Sequence, residues 1–372
     1  MKYLGILTLM LMMFGCSQPE KAPLGLSGDA FSADYEGKTI ELYTLKNDNG
    51  LVCQLTNFGA RVVTLFTPDK NGEMGDVIVG YGTGQDFVEK TENFYGAIIG
   101  RYGNRIGNGV FSIDGVEYQL NKNDGNNHLH GGGNGFNRQI WDVESQSESE
   151  IVFTLVSPDM DSGYPGTVDV KVKYQLTADN ELKIEYFAST DKKTILNLTN
   201  HTYFNLKDGG RSSINDHLMY INADKYTPVD GGLIPTGELA PVAGTPFDFT
   251  TPTAIGDRVD AEDQQIEYGN GYDHNWVLNT DNVNDLAAKV VDPVSGRTME
   301  IYTNEPGIQF YGGNFLNGRV AGKYDINIGH RAAFCMETQH FPDSPNKENF
   351  PSVIVNPGDE YYSICIYKFG VE

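Results

Sequence analysis

Between Trp141 and Ser189 the chain breaks into four short runs of β-forming residues, Trp141 to Val143, Glu150 to Val156, Thr167 to Thr177 and Glu181 to Ser189, each bounded by turn residues. Runs of this length at regular spacing are what a sheet packed on one face requires, because side chains alternate between the two faces of a strand. The same pattern appears at Thr39 to Tyr43, Leu51 to Asn57, Arg61 to Thr67 and Asp76 to Val79, with turns at Asn47 to Gly50 and Phe58 to Ala60. Phe111 to Leu120 folds back at Asp114-Gly115, a strong hairpin signal. Ala287 to Asp292 and Arg297 to Thr303 pair about Pro293 to Gly296, and Tyr361 to Phe369 closes the sheet.

No window carries a long helical period, and Ile255 to Arg258 offers one helical turn. The chain has 372 residues, which suits one large all-β unit, and its 43 glycines and 16 prolines supply the turns. The expectation is a single large antiparallel β-sandwich over residues 31–372, with no internal repeat or linker to divide it.

The formal net charge of -23 excludes a nucleic-acid or anionic-membrane surface, which needs clustered Lys and Arg. It fits a solvated surface around a neutral ligand. The first residues differ from the rest. Met1-Lys2 and an apolar stretch to Gly15 have the length of a signal peptide. The run Met13-Phe14-Gly15-Cys16-Ser17 resembles a bacterial lipoprotein cleavage site, with Cys16 as the lipidated residue. Residues 17–30 then read as a tether, and the expected location is the periplasm or cell envelope, with a lipid anchor as the only membrane contact. Cys53, Cys335 and Cys365 lie in apolar runs and read as buried thiols, and no Cys/His spacing suggests zinc.

The stretch Leu196-Asn197-Leu198-Thr199-Asn200-His201-Thr202-Tyr203-Phe204-Asn205-Leu206 alternates as a half-buried strand would. Ile195, Asn197, Thr199 and His201 fall on one face and Leu196, Leu198, Asn200 and Thr202 on the other. His201 taken alone reads as a packed histidine. The run Arg331 to Pro342 is another buried-looking strand, and its apolar residues end at Glu337. An imidazole and a carboxylate form the usual pair for moving protons near neutral pH, and burial would raise the pKa of Glu337 while a cation such as Arg105 would lower it.

Further polar residues stand beside glycines: Asn104 and Arg105 in Gly100 to Gly109, His130 before Gly131-Gly132-Gly133, Asp273 and His274 after Gly271, and Gln309 after Gly307. Each has a plain structural reading. Arg105 can anchor its loop to a carboxylate, His130 can stiffen a turn, Asp273 and His274 can pair with each other, Gln309 can face solvent, and Glu337 can be an edge carboxylate.

Taken together and in order, the segments Gly100-Arg101-Tyr102-Gly103-Asn104-Arg105-Ile106, Leu129-His130-Gly131-Gly132, Asn200 to Leu206, Gly271-Tyr272-Asp273-His274-Asn275, Glu305 to Phe310 and Met336-Glu337-Thr338-Gln339 resemble the aldose 1-epimerases, or galactose mutarotases. The likeness runs from Phe31 to the C-terminus. It implies a galactose mutarotase-like sandwich that binds a hexopyranose such as galactose or glucose without metal or organic cofactor; a monomer is the expected state. It also implies that Glu337 is the base at the C1 hydroxyl and His201 the acid at the ring oxygen. Asn104, Arg105, His130, Asp273 and Gln309 match sugar-binding positions, and Asn200, Tyr203 and Asn205 are expected to orient the His201 ring. The chain departs from many relatives at Gly103, usually Ala, and at His340, usually Asn, where a change in substrate preference is expected. Two other readings compete: a sugar-binding lipoprotein without turnover, and a glycoside hydrolase using Asp273 with Glu337.

Overall fold

In the run Val168–Leu176 every second residue, from Val168 through Val170, Val172 and Tyr174 to Leu176, is buried. The partner Glu181–Thr190 buries Leu182, Ile184, Tyr186, Ala188 and Thr190 in the same way. The two strands pair antiparallel with Val172 opposite Tyr186 and Tyr174 opposite Ile184, so the apolar sets share one face. On the outer face Lys173 reaches Glu150 at 2.9 Å and Glu185 at 3.8 Å. Such exposed pairs contribute little, and the buried side chains, each worth about 1.5–3 kcal/mol, carry the sheet.

This pair sits within a nine-stranded antiparallel sheet in the computed structural model, which describes residues 24–90 and 94–372. Its order is Asp142–Gln146, Glu150–Ser157, Val168–Leu176, Glu181–Thr190, Tyr361–Val371, Arg297–Thr303, Ala288–Val291, Leu218–Ile221 and Thr253–Ala254. A four-stranded sheet holds Leu42–Lys46, Val52–Thr56, Arg61–Pro68 and Met74–Asp76. A five-stranded sheet holds Ala240–Pro241, Lys225–Tyr226 and three longer strands that matter for the site. With Thr199–His201 labelled β1, these three are β2 (Asp273–Val277), β3 (Gly307–Tyr311) and β4 (Cys335–Gln339). One buried cluster joins Leu45 and Leu55, Val172 and Tyr186, and Trp276, Ile308 and Phe310, so the three sheets close over a common core.

Most of the expected strands and the hairpin at Asp114-Gly115 are present, but Thr39 to Tyr43 divides into Lys38–Ile40 and Leu42–Lys46, Trp141 to Val143 becomes Asp142–Gln146, and Arg331 to Pro342 narrows to Cys335–Gln339. The one-turn helix at Ile255–Asp257 is present as well. Two six-residue helices, and a single turn at Gly28–Phe31, were not foreseen. Gly84–Glu89 is capped by Thr83, whose side chain accepts from the Asp86 N–H, and Gln264–Gly269 is capped by Asp263. Each spans six residues, too few to register as a period. No helix among the described residues is long and apolar enough to cross a membrane.

Three expectations are corrected. The stretch around His201 is not one half-buried strand. It is buried from Thr194 to Leu206 and divides into Thr194–Ile195, β1 and Tyr203–Phe204, which pair with Ile354–Val355, Ala97–Ile99 and Ile78–Val79. Two of its amides face backbone instead of water. Asn197 donates to Gly103 O and His340 O at 3.1 Å each and accepts from the His340 N–H at 2.9 Å, and Asn205 donates to Ser212 O and Ala332 O. Amides can satisfy buried main chain as well as water can, so alternation alone did not report exposure. The second correction concerns the tether. Leu26 exchanges hydrogen bonds with the Gln54 side chain, and Gly28–Phe31 is a helical turn with Phe31 fully buried, so the chain joins the domain before residue 31. The third is His340, whose Nδ1 lies 2.6 Å from Glu305 Oε2 beyond the end of β4, away from the site cavity. Cys53, Cys335 and Cys365 are buried and form no disulfide, while Cys16 lies outside the described residues.

Candidate active site

Strands β2 to β4 carry two kinds of face. Trp276, Ile308, Phe310 and Met336 point into the main core. The opposite face aligns Asp273 with Tyr311 and Cys335, and Asn275 with Gln309 and Glu337, by cross-strand register. A sheet this well packed fixes its polar face rigidly, and Glu337 and Asp273 are only 1% and 8% exposed.

β1 lies over that face with His201 directed at Glu337. The His201 Nε2 to Glu337 Oε1 distance is 3.5 Å. The imidazole is held between Tyr203, stacked at 5.1 Å, and Phe94, stacked at 5.6 Å, both at an interplanar angle of 23°. On its other edge Nδ1 is 3.4 Å from Cys335 Sγ. Of the three residues expected to orient this ring, Tyr203 touches it. Asn200 instead bonds to Gly96 O and the Tyr174 hydroxyl, and Asn205 to main chain, so neither meets the imidazole. Successive residues of a strand point to opposite sides, which sends Asn200 into the core when His201 faces the cavity.

The glycine-rich turn supplies the third side. His130 has a left-handed φ of 53°, and its Nδ1 accepts the Asn104 N–H at 3.0 Å. A backbone N–H can only donate, so the neutral ring must carry its proton on Nε2. Gly131 makes this turn possible: its φ is +80°, and a Cβ there would lie 1.8 Å from Gly100 O. Arg105 donates from Nε to Asp124 Oδ2 at 2.8 Å and stands 3.8 Å from Asp273 Oδ2. Gln309 donates from Nε2 to Asp273 Oδ1 at 2.7 Å. Asn104 spends its Oδ1 on the Arg105 N–H, leaving its NH2 for a ligand.

These groups enclose a cavity of about 150 Å³ lined by Phe94, Asn104, Arg105, His130, His201, Asp273 and Glu337, with Leu129, Tyr203, Tyr311 and Phe315 completing the wall. Six of the seven residues singled out from sequence line this cavity, and the seventh, Gln309, reaches it only through its bond to Asp273. The aromatic members Phe94, Tyr311 and Phe315, and Cys335, were missed. Phe315 is 57% exposed and stacks on Tyr311, forming an aromatic lip. Aromatics next to glycine loops were the available signal for it. Larger hollows of about 530, 500 and 460 Å³ lie elsewhere, around Asp260 and Arg331, around Phe187, and around Glu305 with His340. In the first of these Arg331 is spent on Asp260, and in the last Glu305 and His340 bond to each other, whereas the smaller cavity holds an imidazole beside a carboxylate with an oxygen unpartnered among the described residues.

Burial sets the electrostatics. It pushes the Glu337 carboxyl well above the ordinary carboxylate range, helped by the nearby Asp273 and opposed by Arg105. It also pulls His201 down to about 3 and His130 well below the usual imidazole range, and raises Asp273. Glu337 Oε2 is buried with no partner among the described residues, as are Gln309 Oε1 and both amide atoms of Asn275 and Gln339. A buried acceptor of this kind is a place for a ligand donor. Ligating atoms of His130, His201 and Glu337 lie within 4.8 Å of one another, a spacing a metal could use. The Asn104 N–H rules against it chemically, because it occupies Nδ1 of His130 and leaves a proton on Nε2, so that ring offers a donor and no lone pair.

A family model for aldose 1-epimerase matches residues 41–368. The human galactose mutarotase is 41% identical over 335 residues, covering 90% of this chain and 95% of that protein. The aldose 1-epimerase of Escherichia coli K12 is 36% identical over 340 residues, covering 91% and 97%. Among solved structures, an aldose epimerase homologue from C. elegans superposes with a TM-score of 0.82 at 31% identity, covering 89% of this chain and 98% of that one. The galactose 1-epimerase of Lactobacillus acidophilus gives 0.80 at 31% identity, covering 91% and 97%. On a family model spanning most of its length, and on relatives this similar over nine tenths of it, the chain belongs to the aldose 1-epimerase family.

Proposed function

We propose that this chain interconverts the α and β anomers of an aldohexose such as galactose or glucose, with Glu337 as base on the C1 hydroxyl and His201 as acid on the ring oxygen. The observation that carries the roles is the orphaned Glu337 Oε2 beside a His201 Nε2 that lies 3.5 Å from Oε1. The O1–H of a sugar can donate to that oxygen while the ring oxygen accepts from Nε2.

The pair shares one proton. With sugar in its ring form, the pair is carboxylate and imidazolium. Glu337 takes the O1 proton as the C1–O5 bond breaks, and His201 gives its Nε2 proton to O5, leaving the aldehyde, a carboxylic acid and a neutral imidazole. Rotation about C1–C2 and the reverse transfers give the other anomer. Burial, which raises Glu337 and lowers His201, favours the neutral partners and so favours the opened sugar. A positioned acid or base contributes about 10²–10⁴-fold each.

Asn104, Arg105, His130, Asp273 and Gln309 are read as the clamp on the remaining hydroxyls, mixing donors with acceptors as a sugar requires. Phe315 and Tyr311 offer a flat apolar face for the C–H side of the ring. One chain holds every group, so a monomer suffices, and sedimentation would check it. We also infer, from Met1 to Cys16 alone, export and lipidation at Cys16 ahead of one catalytic unit. Membrane fractionation of the C16S variant tests this, and unchanged partitioning would end it.

The functional test is polarimetry of freshly dissolved α-galactose, α-glucose, α-xylose and arabinose. Exchange well above the spontaneous rate with at least one sugar is expected. Spontaneous rates throughout, with measurable sugar binding, would leave a binding protein in its place.

A further inference from the structure

Acid and base stand on different elements, yet one strand reaches both. Cys335 and Glu337 are two residues apart on β4, so their side chains leave the same face about 7 Å apart along the strand. Cross-strand pairing with Tyr311 and Gln309 fixes that register. Cys335 is fully buried, and its Sγ meets Nδ1 of His201 at 3.4 Å. Tyr203 and Phe94 stack on the two faces of the imidazole and fix its plane. What the plane does not settle is which nitrogen carries a proton, and that is decided by partners at the ring edge.

We propose that Cys335 is a positioning residue for the acid step: its sulfur takes the Nδ1–H hydrogen bond of His201 and so commits Nε2, which faces Glu337, to shuttle the proton. The inference rests on His201 being the acid proposed above. When the imidazolium acts, the Nε2–H bond breaks and the O5–H bond forms, while Nδ1–H stays on sulfur. The neutral ring is thereby left in the one tautomer that can take the proton back at Nε2 when the sugar recloses. Sulfur is a weak acceptor, so it orients the ring without holding the imidazolium charge as a carboxylate would. His201 stays a strong acid towards an ether oxygen. The other charged or titratable groups near the ring are Glu337, His130, Tyr203, Tyr311 and Arg61, with the residue's own main chain as a second acceptor.

The test uses the full chain labelled with 15N-histidine, as wild type, C335A and C335S, with kcat and KM measured across pH. Wild type should show His201 as the Nδ1–H tautomer. C335A leaves the residue's own main chain as the remaining acceptor at Nδ1, so the Nδ1–H tautomer should lose population and kcat should fall about tenfold, a tenth of the lower end of a positioned acid's contribution, with KM little changed. C335S, close in volume and a stronger acceptor, should keep the tautomer, restore most of kcat and move the acidic limb of the kcat profile to higher pH. If both variants are folded and keep the wild-type tautomer and kcat profile, the inference is overturned while the acid assignment stands. If H201N turns over at the wild-type rate, the underlying assignment fails instead.

Discussion

Five of the seven histidines are buried: His128, His130, His201, His217 and His274. Burial lowers His128 and His217 to about 4, His201 and His274 to about 3, and His130 well below its usual range. In the unfolded chain each should titrate near 6.5. A group whose native pKa is depressed gives its full stability above the unfolded value and loses it as pH falls, here from about 6.5 towards 4. Each imidazole then costs about 1.36 kcal/mol per pH unit. At pH 5 that is about 2 kcal/mol per histidine and on the order of 10 kcal/mol for the set, comparable to the whole stability of a typical domain. Glu337 and Asp273, whose carboxyls are raised, offset part of this because protonation suits them in the fold. The depressed surface carboxylates act only below about pH 4. Urea melts followed by tryptophan fluorescence between pH 7.5 and 4.5 should show a steep loss of stability below pH 6.5, with an uptake of about three to five protons on unfolding, the lower figure allowing for the two carboxyls. His274, whose Nε2 has no partner among the described residues, allows a check: His274→Gln should remove about one proton from the slope. A flat profile between pH 7 and 5 would refute the reasoning.

Three substitutions probe the frame of the site. Gly131→Ala forces a Cβ to 1.8 Å from Gly100 O at a positive φ and should cost about 3 kcal/mol or more in chemical denaturation, with lost activity as His130 shifts. Asn197→Leu strands the His340 N–H and two carbonyls and should cost about 3 kcal/mol by the same measurement. Gln339→Met should instead raise stability in urea by about 1–2 kcal/mol, because neither amide atom of this fully buried side chain has a partner among the described residues. A lower midpoint there would mean that the amide is paired through solvent.

The all-β architecture could be read from alternation in runs such as Val168–Leu176, where one face meets the core and the other meets water. The same rule misled at Thr194 to Leu206, because Asn197 and Asn205 alternate for the sake of buried main chain. The positions of His201 and Glu337 came from the ordered motifs, since neither residue announces its partner locally. Their pairing is a product of sheet register, Glu337 opposite Gln309 and β1 laid across, and register is not written in any single segment. Cys335 escaped for a related reason: a cysteine in an apolar strand reads as packing, and only the fold brings His201 to its sulfur. The short capped helices were carried by single capping side chains, Thr83 and Asp263, which a periodicity search does not weigh.

The proposed acid–base chemistry rests on the 3.5 Å pair of His201 and Glu337. Polarimetry of α-galactose with H201N and E337Q, alongside isothermal titration of galactose binding, tests it most directly. Each variant should bind sugar within a few-fold of wild type and lose about 10²–10⁴-fold in the rate of anomer exchange. Either variant exchanging anomers at the wild-type rate would contradict it.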